Sequence, residues 1–448
     1  MNIDAALKWL ASFQNLEGQR ATRHHGDNQA SPSMPVAGQD GGLSLDAMLD
    51  LMQALGDPHR AFRSIHLTGT NGKGSTAKFA DAILRKLDLS VARYSSPHLE
   101  RINERFVWDD RMITDEELAA ILTLLSQVVP TLATTPSYFE LVTAAAYAWF
   151  AEMGTEVALV EVGLLGRFDA TNVIDADVAV ITNIGKDHTD GGEGWQRRVA
   201  GEKAGIIKPD SHVVVGAPMP ELLDIFKAEP HRDLWIANSD FGVEDDQLAV
   251  GGHQVQVRTP FGTTDPIFVP LHGAYQPHNL ATAVAATEAF LGRSIDPELY
   301  GEALVDVEMP GRFEIARREP TVVLEGAHNP DGAMVAKYTL DTEFARLGSW
   351  ILIIGFLDGK DPADMFEAIG ADDFDAIIIC EPSWSRAQPA DEVAAIARSL
   401  RLEVDVVPDP NEALRRAMAV AGEEDLIVVT GSLYVVGEVR ATARSVDT

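Results

Sequence analysis

The chain has 448 residues, 46% hydrophobic and 23% charged, a composition typical of a soluble globular protein with two or three domains. Its formal net charge of −32 argues against nucleic acid or an anionic membrane as a partner, because the overall field would repel both. The single cysteine, Cys380, excludes a disulfide framework and a thiolate metal cluster. We find no apolar run of 18 residues and no basic leader, so we expect a cytoplasmic protein, and we expect it to be a monomer.

Apolar periodicity predicts helices over 1–17 and 44–56, separated by a polar loop over 18–42. Between 61 and 215, strand-like segments then alternate with helical ones. This alternation predicts a parallel sheet with helices on both faces. The predicted strands cover residues 64–68, 90–95, 157–163, 178–184 and 212–217.

The pattern changes over 234–270, where apolar and polar residues alternate between turns and predict antiparallel β-structure. A helix is predicted from Gln276 to Leu291, and the segment 292–310 is the predicted domain boundary. A second α/β series follows. We therefore predict an α/β protein of two domains: residues 1–300, a P-loop-type ATPase domain with a parallel sheet and a small antiparallel insertion, and residues 301–448, a Rossmann-like domain. The predicted strands of the second domain cover residues 321–329, 350–356, 376–380, 404–408 and 426–432.

The stretch HLTGTNGKGST, at 66–76, joins the first of these strands to a helix. Glycines let the backbone curl so that several N–H groups point inward at the positive end of the helix, and Lys73 adds a full charge. Two residues, rather than the four of a standard P-loop, separate the first glycine from the Gly-Lys pair. The predicted phosphate-binding residues are Gly69, Thr70, Asn71, Gly72, Lys73, Gly74 and Ser75.

Polar residues at the ends of neighbouring strands predict a magnesium site beside this loop. Ser96 follows the second strand, Glu161 lies within a strand that we predict to be buried, and His188 follows the next strand. A buried carboxylate needs a cation, and oxygen donors suit a hard one. For His188 alone, a packed loop histidine is an equally good interpretation. Lys203 follows in a helix, where its own context predicts only a solvated side chain.

The second domain offers further phosphate and nucleotide ligands. Arg312 follows the boundary segment, and a guanidinium can bind phosphate in a bidentate way. Glu325 and His328 lie at the end of a strand, where ligands of parallel sheets gather. Asn279 lies near the start of the helix before the boundary, where its amide can hydrogen-bond an adenine edge.

Taken in order, these segments resemble the folylpolyglutamate synthase and dihydrofolate synthase family, within the Mur ligase superfamily of ATP-dependent amide ligases. The resemblance covers nearly the whole chain. The segments that carry it are GTNGKGS, SSPHLERINER, SYFE, EVGLLGRFDATN, DHTD, GEKAGIIKP, YQPHN, MPGRFE and GAHNPDG.

The resemblance implies an enzyme that joins L-glutamate to dihydropteroate or a reduced folate, with ATP and two magnesium ions. It implies that Lys203 is carbamylated and becomes a ligand of the second ion. The implied roles are metal binding for Ser96, Glu161, His188 and Lys203; nucleotide binding for the phosphate loop, Asn279, Arg312 and Glu325; pterin binding for Ser137, Tyr138, Phe139, Glu140, Phe168, Asp169 and Ala170; and catalysis for Lys73, Glu161, His188, Lys203 and His328.

The chain departs from the family pattern at several positions. Glu325 stands where the family usually has Asp, and Leu165 stands where it usually has Gly. The segment around 40–43 matches the early pterin-binding segment poorly, and the stretch before it is longer than usual. Two alternatives stay open: a nucleotide hydrolase that performs no ligation, and a Mur-type ligase for another amino acid and carboxylate, such as a cell-wall precursor. The glutamate–histidine metal set argues against the first and the SYFE segment against the second.

Overall fold

The computed structural model of the protein describes residues 1–13, 44–187, 189 and 192–445. This part of the chain forms two compact units. Unit 1 comprises Met1–Asp245, Gln256–Ile267 and His278–Leu304, and unit 2 comprises Asp246–Val255, Phe268–Pro277 and Val305–Thr448. The domain limits 1–300 and 301–448 divide the chain differently and stay a prediction. The predicted loop over 18–42 and residues 14–17 of the predicted first helix lie outside the described residues.

Three helices of the first part of the chain begin at residues whose side chains accept hydrogen bonds from the first helical turn. Asn2 caps the first helix, and Thr114 and Ser137 form capping boxes with Glu117 and Glu140. The helices are α1 Ile3–Ala11, α2 Asp46–Ala54, α3 Lys73–Lys86, α4 Asp115–Val128, α5 Tyr138–Glu152, α6 Trp195–Ala204, α7 Leu223–Ala228, α8 Gln276–Leu291 and α9 Pro297–Leu304. None of the described helices is long and apolar enough to cross a membrane.

Unit 1 contains a sheet of eight strands in the order β4-β3-β2-β5-β1-β6-β7-β8. The pairs from β2 to β8 are parallel, and β3 and β4 add an antiparallel edge. The predicted parallel sheet is therefore confirmed. The strands are β1 Arg63–Thr68, β2 Val91–Tyr94, β3 Phe106–Trp108, β4 Arg111–Met112, β5 Val157–Glu161, β6 Val178–Ile181, β7 His212–Val215 and β8 Asp233–Ile236.

Hydrophobic cores cover both faces of this sheet, because successive side chains of a strand point to opposite sides. On one face, Ala92, Tyr94, Ala158 and Val160 pack with α1, α2, α4 and α5. On the same face, residues of β6 and β7 pack with α6 and α7, because the strand register aligns them with Val160. On the opposite face, Leu67, Leu159 and Val180 are also fully buried. With both faces covered, the carboxyl ends of the strands are the part of the sheet that can hold polar side chains for a ligand.

A smaller sheet follows in the chain, formed by β9 Gly242–Ala249, β10 Gly252–Thr259, β11 Gly262–Thr263 and β12 Ile267–Val269. β10 and β11 pair in antiparallel fashion, as predicted. The prediction was wrong at its start, because β8 extends the large sheet as a parallel partner of β7. Alternation of apolar and polar residues marks a half-exposed strand but does not determine its direction.

Unit 2 contains a six-stranded sheet in the order β13-β14-β18-β15-β16-β17, and this confirms the predicted Rossmann-like α/β fold. The edge pair β13 and β14 is antiparallel, and the other four neighbouring pairs of this sheet are parallel. The strands are β13 Glu314–Arg318, β14 Thr321–Leu324, β15 Trp350–Ile354, β16 Ala376–Ile379, β17 Asp405–Val406 and β18 Leu426–Thr430. The helices are α10 Pro330–Glu343, α11 Pro362–Ala368, α12 Ala390–Ser399, α13 Pro410–Val420 and α14 Leu433–Arg444.

Candidate nucleotide and metal site

The predicted phosphate loop is a tight turn between the end of β1 and the start of α3 at Lys73. Gly69 and Gly72 have φ angles of 150° and 84°, which residues with a side chain rarely adopt. A Cβ on Gly69 would overlap the side chain of Thr182, and one on Gly72 would lie 2.5 Å from Oδ1 of Asn279. Backbone conformation and lack of space therefore both require glycine at these two positions.

Asn183 supports the first half of this loop. Its Oδ1 accepts hydrogen bonds from the backbone N–H groups of Thr70 and Asn71, each at 2.9 Å. These two N–H groups therefore do not point into the phosphate site, contrary to the expectation from the sequence. The donors best placed for a phosphate are those of the first turn of α3, which have no acceptor within their own helix. Asn183 follows β6, the neighbour of β1, so the argument from strand ends could have found it.

Lys73 and Glu161 lie together beside the loop. The Nζ of Lys73 donates to the carbonyl of Gly69 at 3.0 Å and lies 3.8 Å from Oε1 of Glu161. Glu161 is the last residue of β5 and only 6% of it is exposed. Lys73 therefore supplies part of the positive charge that this buried carboxylate requires.

Of the other two predicted ligands of the first metal ion, the structure describes Ser96 but not His188. The backbone N–H of Ser96 lies 3.4 Å from Oε2 of Glu161, which places the two residues side by side. His188 lies outside the described residues. Across the described ranges, which omit His188, no three His, Cys, Asp or Glu side chains form a metal-binding group. The donors that are present, a carboxylate and a serine, are oxygen ligands that suit magnesium.

Lys203 is buried in α6 with 5% of its surface exposed, so the expectation of a solvated lysine was wrong. Burial lowers the pKa of its amine to about 7, and the nearby charge of Lys73 acts in the same direction. Asp187 and Asp169 partly oppose this shift. Periodicity could not reveal this environment, because it depends on residues that are distant in the chain.

The structure brings two of the segments predicted to bind pterin together. Ser137 and Glu140 form the capping box of α5: the N–H of Ser137 donates to Oε2 of Glu140 at 2.6 Å, and the N–H of Glu140 donates to Oγ of Ser137 at 3.3 Å. The ring of Phe139 lies against Gly163, where a Cβ would overlap it. Gly163 therefore admits this ring beside the loop that follows Glu161.

Asp169 organises that loop. Its carboxylate accepts hydrogen bonds from the N–H of Leu164 at 2.7 Å and from the hydroxyl of Thr171 at 2.5 Å. Burial raises the pKa of Asp169. Oγ1 of Thr171 also lies 2.9 Å from Nε2 of His66, a buried residue that the sequence did not single out. Phe168 and Ala170 flank Asp169 in the chain, so the loop carries all three residues of the second predicted pterin segment.

Leu165 keeps a backbone conformation suited to glycine, with a φ angle of 61°. Its side chain is 7% exposed and belongs to the hydrophobic core around α6 and α7. Its carbonyl accepts a hydrogen bond from Oγ1 of Thr68 at 2.5 Å. Packing and this hydrogen bond together hold a leucine in a left-handed conformation.

In unit 2, the predicted residues gather around the end of β14. Glu325 is 4% exposed, and its Oε1 lies 3.8 Å from Nη1 of Arg312. Nδ1 of His328 lies 3.1 Å from the carbonyl of Gly326. Asn329 caps α10 by accepting from the N–H of Gly332 at 2.8 Å. Asn279 belongs to unit 1, where it lies against Gly72.

The comparison with known families agrees with this arrangement of fold and site. Residues 67–287 match the Mur ligase middle domain, and residues 311–433 match the family described as Mur ligase, glutamate ligase domain. With a parallel sheet and a phosphate loop followed by a second α/β unit, and with these two matches, the chain belongs to the Mur ligase class.

Individual relatives narrow the class. The chain is 36% identical over 436 residues to a dihydrofolate synthase/folylpolyglutamate synthase of Mycobacterium tuberculosis, with 89% of each chain covered. It is 31% identical to the Bacillus subtilis protein of the same name, covering 88% of this chain and 94% of the relative. The chain belongs to the folylpolyglutamate synthase and dihydrofolate synthase family.

Solved structures of relatives share the fold over nearly the whole chain. Mycobacterium tuberculosis folylpolyglutamate synthase complexed with ADP and AMPPCP aligns with a TM-score of 0.84 at 34% identity, over 91% of this chain and 96% of that one. E. coli FolC in complex with DHPP and ADP aligns with a TM-score of 0.83 at 26% identity, over 99% and 97%.

Proposed function

We propose that this chain uses ATP to join L-glutamate to the carboxylate of a dihydropteroate or a folate. As a member of its family it is an ATP-dependent ligase, and its cofactors are ATP and a divalent metal ion. The observation that carries the proposal is the position of Lys73 and Glu161, 3.8 Å apart beside the first turn of α3. One related structure, of a bifunctional folylpolyglutamate synthase/dihydrofolate synthase, holds manganese, AMPPNP and L-glutamate together.

The phosphate loop binds the phosphates of ATP in this proposal. The first-turn N–H groups of α3 and the ammonium of Lys73 face the terminal phosphoryl group, and Gly69 and Gly72 allow the close approach of the backbone. The family pattern adds Asn279 and Arg312 as nucleotide ligands in this proposal, with Glu325 beside Arg312. We assign His328 a catalytic role at the reacting phosphate, as the family pattern implies.

Ser96, Glu161 and His188 would hold one magnesium ion, and Lys203, as a carbamate, would supply an oxygen ligand to a second. The bound ions would neutralise the triphosphate and the substrate carboxylate, which otherwise repel each other. The buried carboxylate of Glu161 beside Ser96 supports this assignment. The low pKa of Lys203, about 7, supports carbamylation, because carbon dioxide reacts with a neutral amine.

The reaction has two steps. The substrate carboxylate attacks the γ-phosphorus in line, and ADP leaves, so the product is an acyl phosphate. The α-amino group of glutamate then attacks the acyl carbon, loses a proton and expels inorganic phosphate. Ser137, Tyr138, Phe139 and Glu140, with Phe168, Asp169 and Ala170, form the wall that orients the pterin. We propose further that the enzyme is a cytoplasmic monomer. Its net charge of −32 argues against a nucleic-acid partner.

A substrate panel tests the proposal. ADP formation is measured with dihydropteroate, tetrahydrofolate and their monoglutamates, each with and without L-glutamate. We expect ADP release that requires both glutamate and at least one pteroate or folate. ADP release that ignores both would indicate a simple hydrolase. Release that requires a different amino acid would indicate another Mur-type ligase.

A further inference from the structure

Arg312 lies in a turn whose backbone conformation is unusual. Gly311 and Phe313, on either side of it, have φ angles of 67° and 47°. A positive φ costs little in glycine, but in an aromatic residue it is unfavourable and persists only where the surroundings hold it. The N–H of Arg312 donates to the carbonyl of Met309 at 3.1 Å, which closes the turn locally.

Glu325 is the side chain that holds Phe313 in this conformation. Its Oε2 accepts hydrogen bonds from the backbone N–H of Phe313 and from the hydroxyl of Tyr275, both at 2.9 Å. Its Oε1 lies 3.8 Å from Nη1 of Arg312. The carboxylate of Glu325 is buried, whereas 31% of the Arg312 side chain is exposed. The carboxylate is therefore engaged by the protein, and the guanidinium is the group that a ligand can reach.

Gly326 shows how closely the guanidinium is fitted. A Cβ at this position would lie 2.7 Å from Nη1 of Arg312 and would overlap Leu433. The N–H of Gly326 also donates to the carbonyl of Gly311 at 2.9 Å. Consecutive residues, Glu325 and Gly326, thus fix both the turn that carries Arg312 and the surface on which its side chain lies.

Building on the proposed function, we propose that Glu325 and Tyr275 are positioning residues: they hold the guanidinium of Arg312 in place for the bound nucleotide, and Glu325 does not touch the nucleotide itself. Tyr275 orients the carboxylate of Glu325, and this carboxylate orients the turn and the guanidinium of Arg312. The guanidinium then contacts the nucleotide. An aspartate at position 325 would be one methylene shorter and could not make all of these contacts.

Nucleotide affinity in a double-mutant cycle tests this chain of contacts. The probe is a fluorescent N-methylanthraniloyl derivative of ADP, titrated with magnesium present. We expect Arg312→Ala to weaken binding about 30-fold, Glu325→Gln about tenfold and Tyr275→Phe about threefold, in line with the loss of charged or neutral hydrogen bonds. In the Arg312→Ala background, Glu325→Gln should weaken binding less than twofold further. If the double variant loses affinity by the product of the two single-variant factors, Glu325 contacts the nucleotide directly and the proposal is overturned.

Tyr300→Phe is the matched control. Tyr300 also donates to a buried carboxylate, that of Glu288 at 3.0 Å, but in unit 1 and away from the predicted site. We expect Tyr300→Phe and Tyr275→Phe to lower the melting temperature alike, and only Tyr275→Phe to weaken nucleotide binding. Equal affinity in both variants would show that Tyr275 is merely structural. If Glu325→Gln does not fold, Glu325→Asp takes its place in the cycle.

The same variants separate this inference from the proposed function. In steady-state assays, Glu325→Gln and Tyr275→Phe should raise KM for ATP, with kcat and KM for glutamate within threefold of the parent. A parent chain that binds the ADP derivative but shows no glutamate-dependent turnover contradicts the ligase function alone. If the affinity losses of the Arg312 and Glu325 variants multiply in the double variant, only the positioning role is contradicted.

Discussion

The ammonium of Lys73 lies 3.8 Å from the carboxylate of Glu161, and 16% and 8% of the two side chains are exposed. One side chain comes from the first turn of α3 and the other from the last residue of β5. The fold thus brings one positive and one negative group together before any ligand binds. In such a low-dielectric setting, each group strongly influences a phosphate or a metal ion bound beside it.

Removing either member of this pair should abolish ligation. We expect Lys73→Ala and Glu161→Gln each to reduce glutamate-dependent ADP release by about 100-fold or more, the usual effect of losing one transition-state charge partner. Lys78→Ala is the control, because Lys78 lies on the same helix but pairs with Asp110 at 2.8 Å. Its activity should stay within twofold of the parent. Near-parent turnover in Lys73→Ala or Glu161→Gln would refute the site.

Gly72→Ala should impair nucleotide binding through shape alone. The new Cβ would lie 2.5 Å from Oδ1 of Asn279, at a φ angle of 84°. Gly154→Ala is the control. It introduces a similar backbone strain, at a φ angle of 68°, but no steric clash, since no atom lies within 4 Å of the new Cβ. We expect each to destabilise the chain by about 1 kcal/mol. Only Gly72→Ala should weaken binding of the ADP derivative in a titration, and equal binding by both variants would contradict the proposed loop.

At position 165, glycine should be more stable than alanine, the reverse of the usual order. Both substitutions remove the buried leucine side chain and cost about 2–5 kcal/mol. Alanine keeps the unfavourable φ angle of 61°, whereas glycine relieves it by about 1 kcal/mol. Urea unfolding of Leu165→Gly and Leu165→Ala measures the difference. A more stable alanine variant would show that the backbone of residue 165 leaves the left-handed region.

Lys203 should carry a carbamate. Because its pKa is lowered to about 7, the amine is largely neutral at pH 8 and can attack carbon dioxide. ¹³C NMR in labelled bicarbonate should show a carbamate signal in the parent and in Lys208→Met, and no signal in Lys203→Met. Lys208 is a suitable control because burial lowers its pKa as well. A signal that survives in Lys203→Met would place the modification elsewhere.

Glu343 should make unit 2 sensitive to acid. Burial alone would raise its pKa, but hydrogen bonds from His253 and His272 outweigh burial and lower the pKa to about 2. A depressed carboxyl pKa stabilises the fold above the unfolded value of 4.5, and this stability is lost as the pH falls toward 2. We expect Glu343→Gln to cost about 3 kcal/mol at pH 6 and to flatten the loss of stability below pH 4.5. Thermal unfolding across this pH range checks both effects.

His253 contributes the opposite dependence. Burial lowers its pKa, but the carboxylates of Glu343 and Asp246 raise it above 6.5 overall. Its contribution is complete below pH 6.5 and disappears as the pH rises through the folded-state pKa. The cluster should therefore stabilise unit 2 most between pH 4.5 and 6.5. A stability profile with no maximum there would contradict this account.

The sequence was sufficient to predict the features that depend on residues close together in the chain. Apolar runs of strand length between helical segments predicted the parallel sheets, and glycines beside Lys73 predicted the phosphate loop. What it could not predict depends on partners far apart in the chain. Asn183 meets Thr70 at a separation of 113 residues and His66 meets Thr171 at 105, and no periodic pattern records such distances. The burial of Lys203 and the direction of β8 were missed for the same reason.

The double hydrogen bond from Thr70 and Asn71 to Asn183 has a consequence for any attempt to shorten the protein. The curl of the loop is maintained from outside, by an amide at the end of a neighbouring strand. A synthetic peptide covering β1, the turn and α3 would keep every glycine and the lysine but would lose this external support. Such a peptide should collapse to a disordered ensemble with no affinity for triphosphates, so nucleotide recognition here belongs to the assembled sheet rather than to the glycine-rich segment.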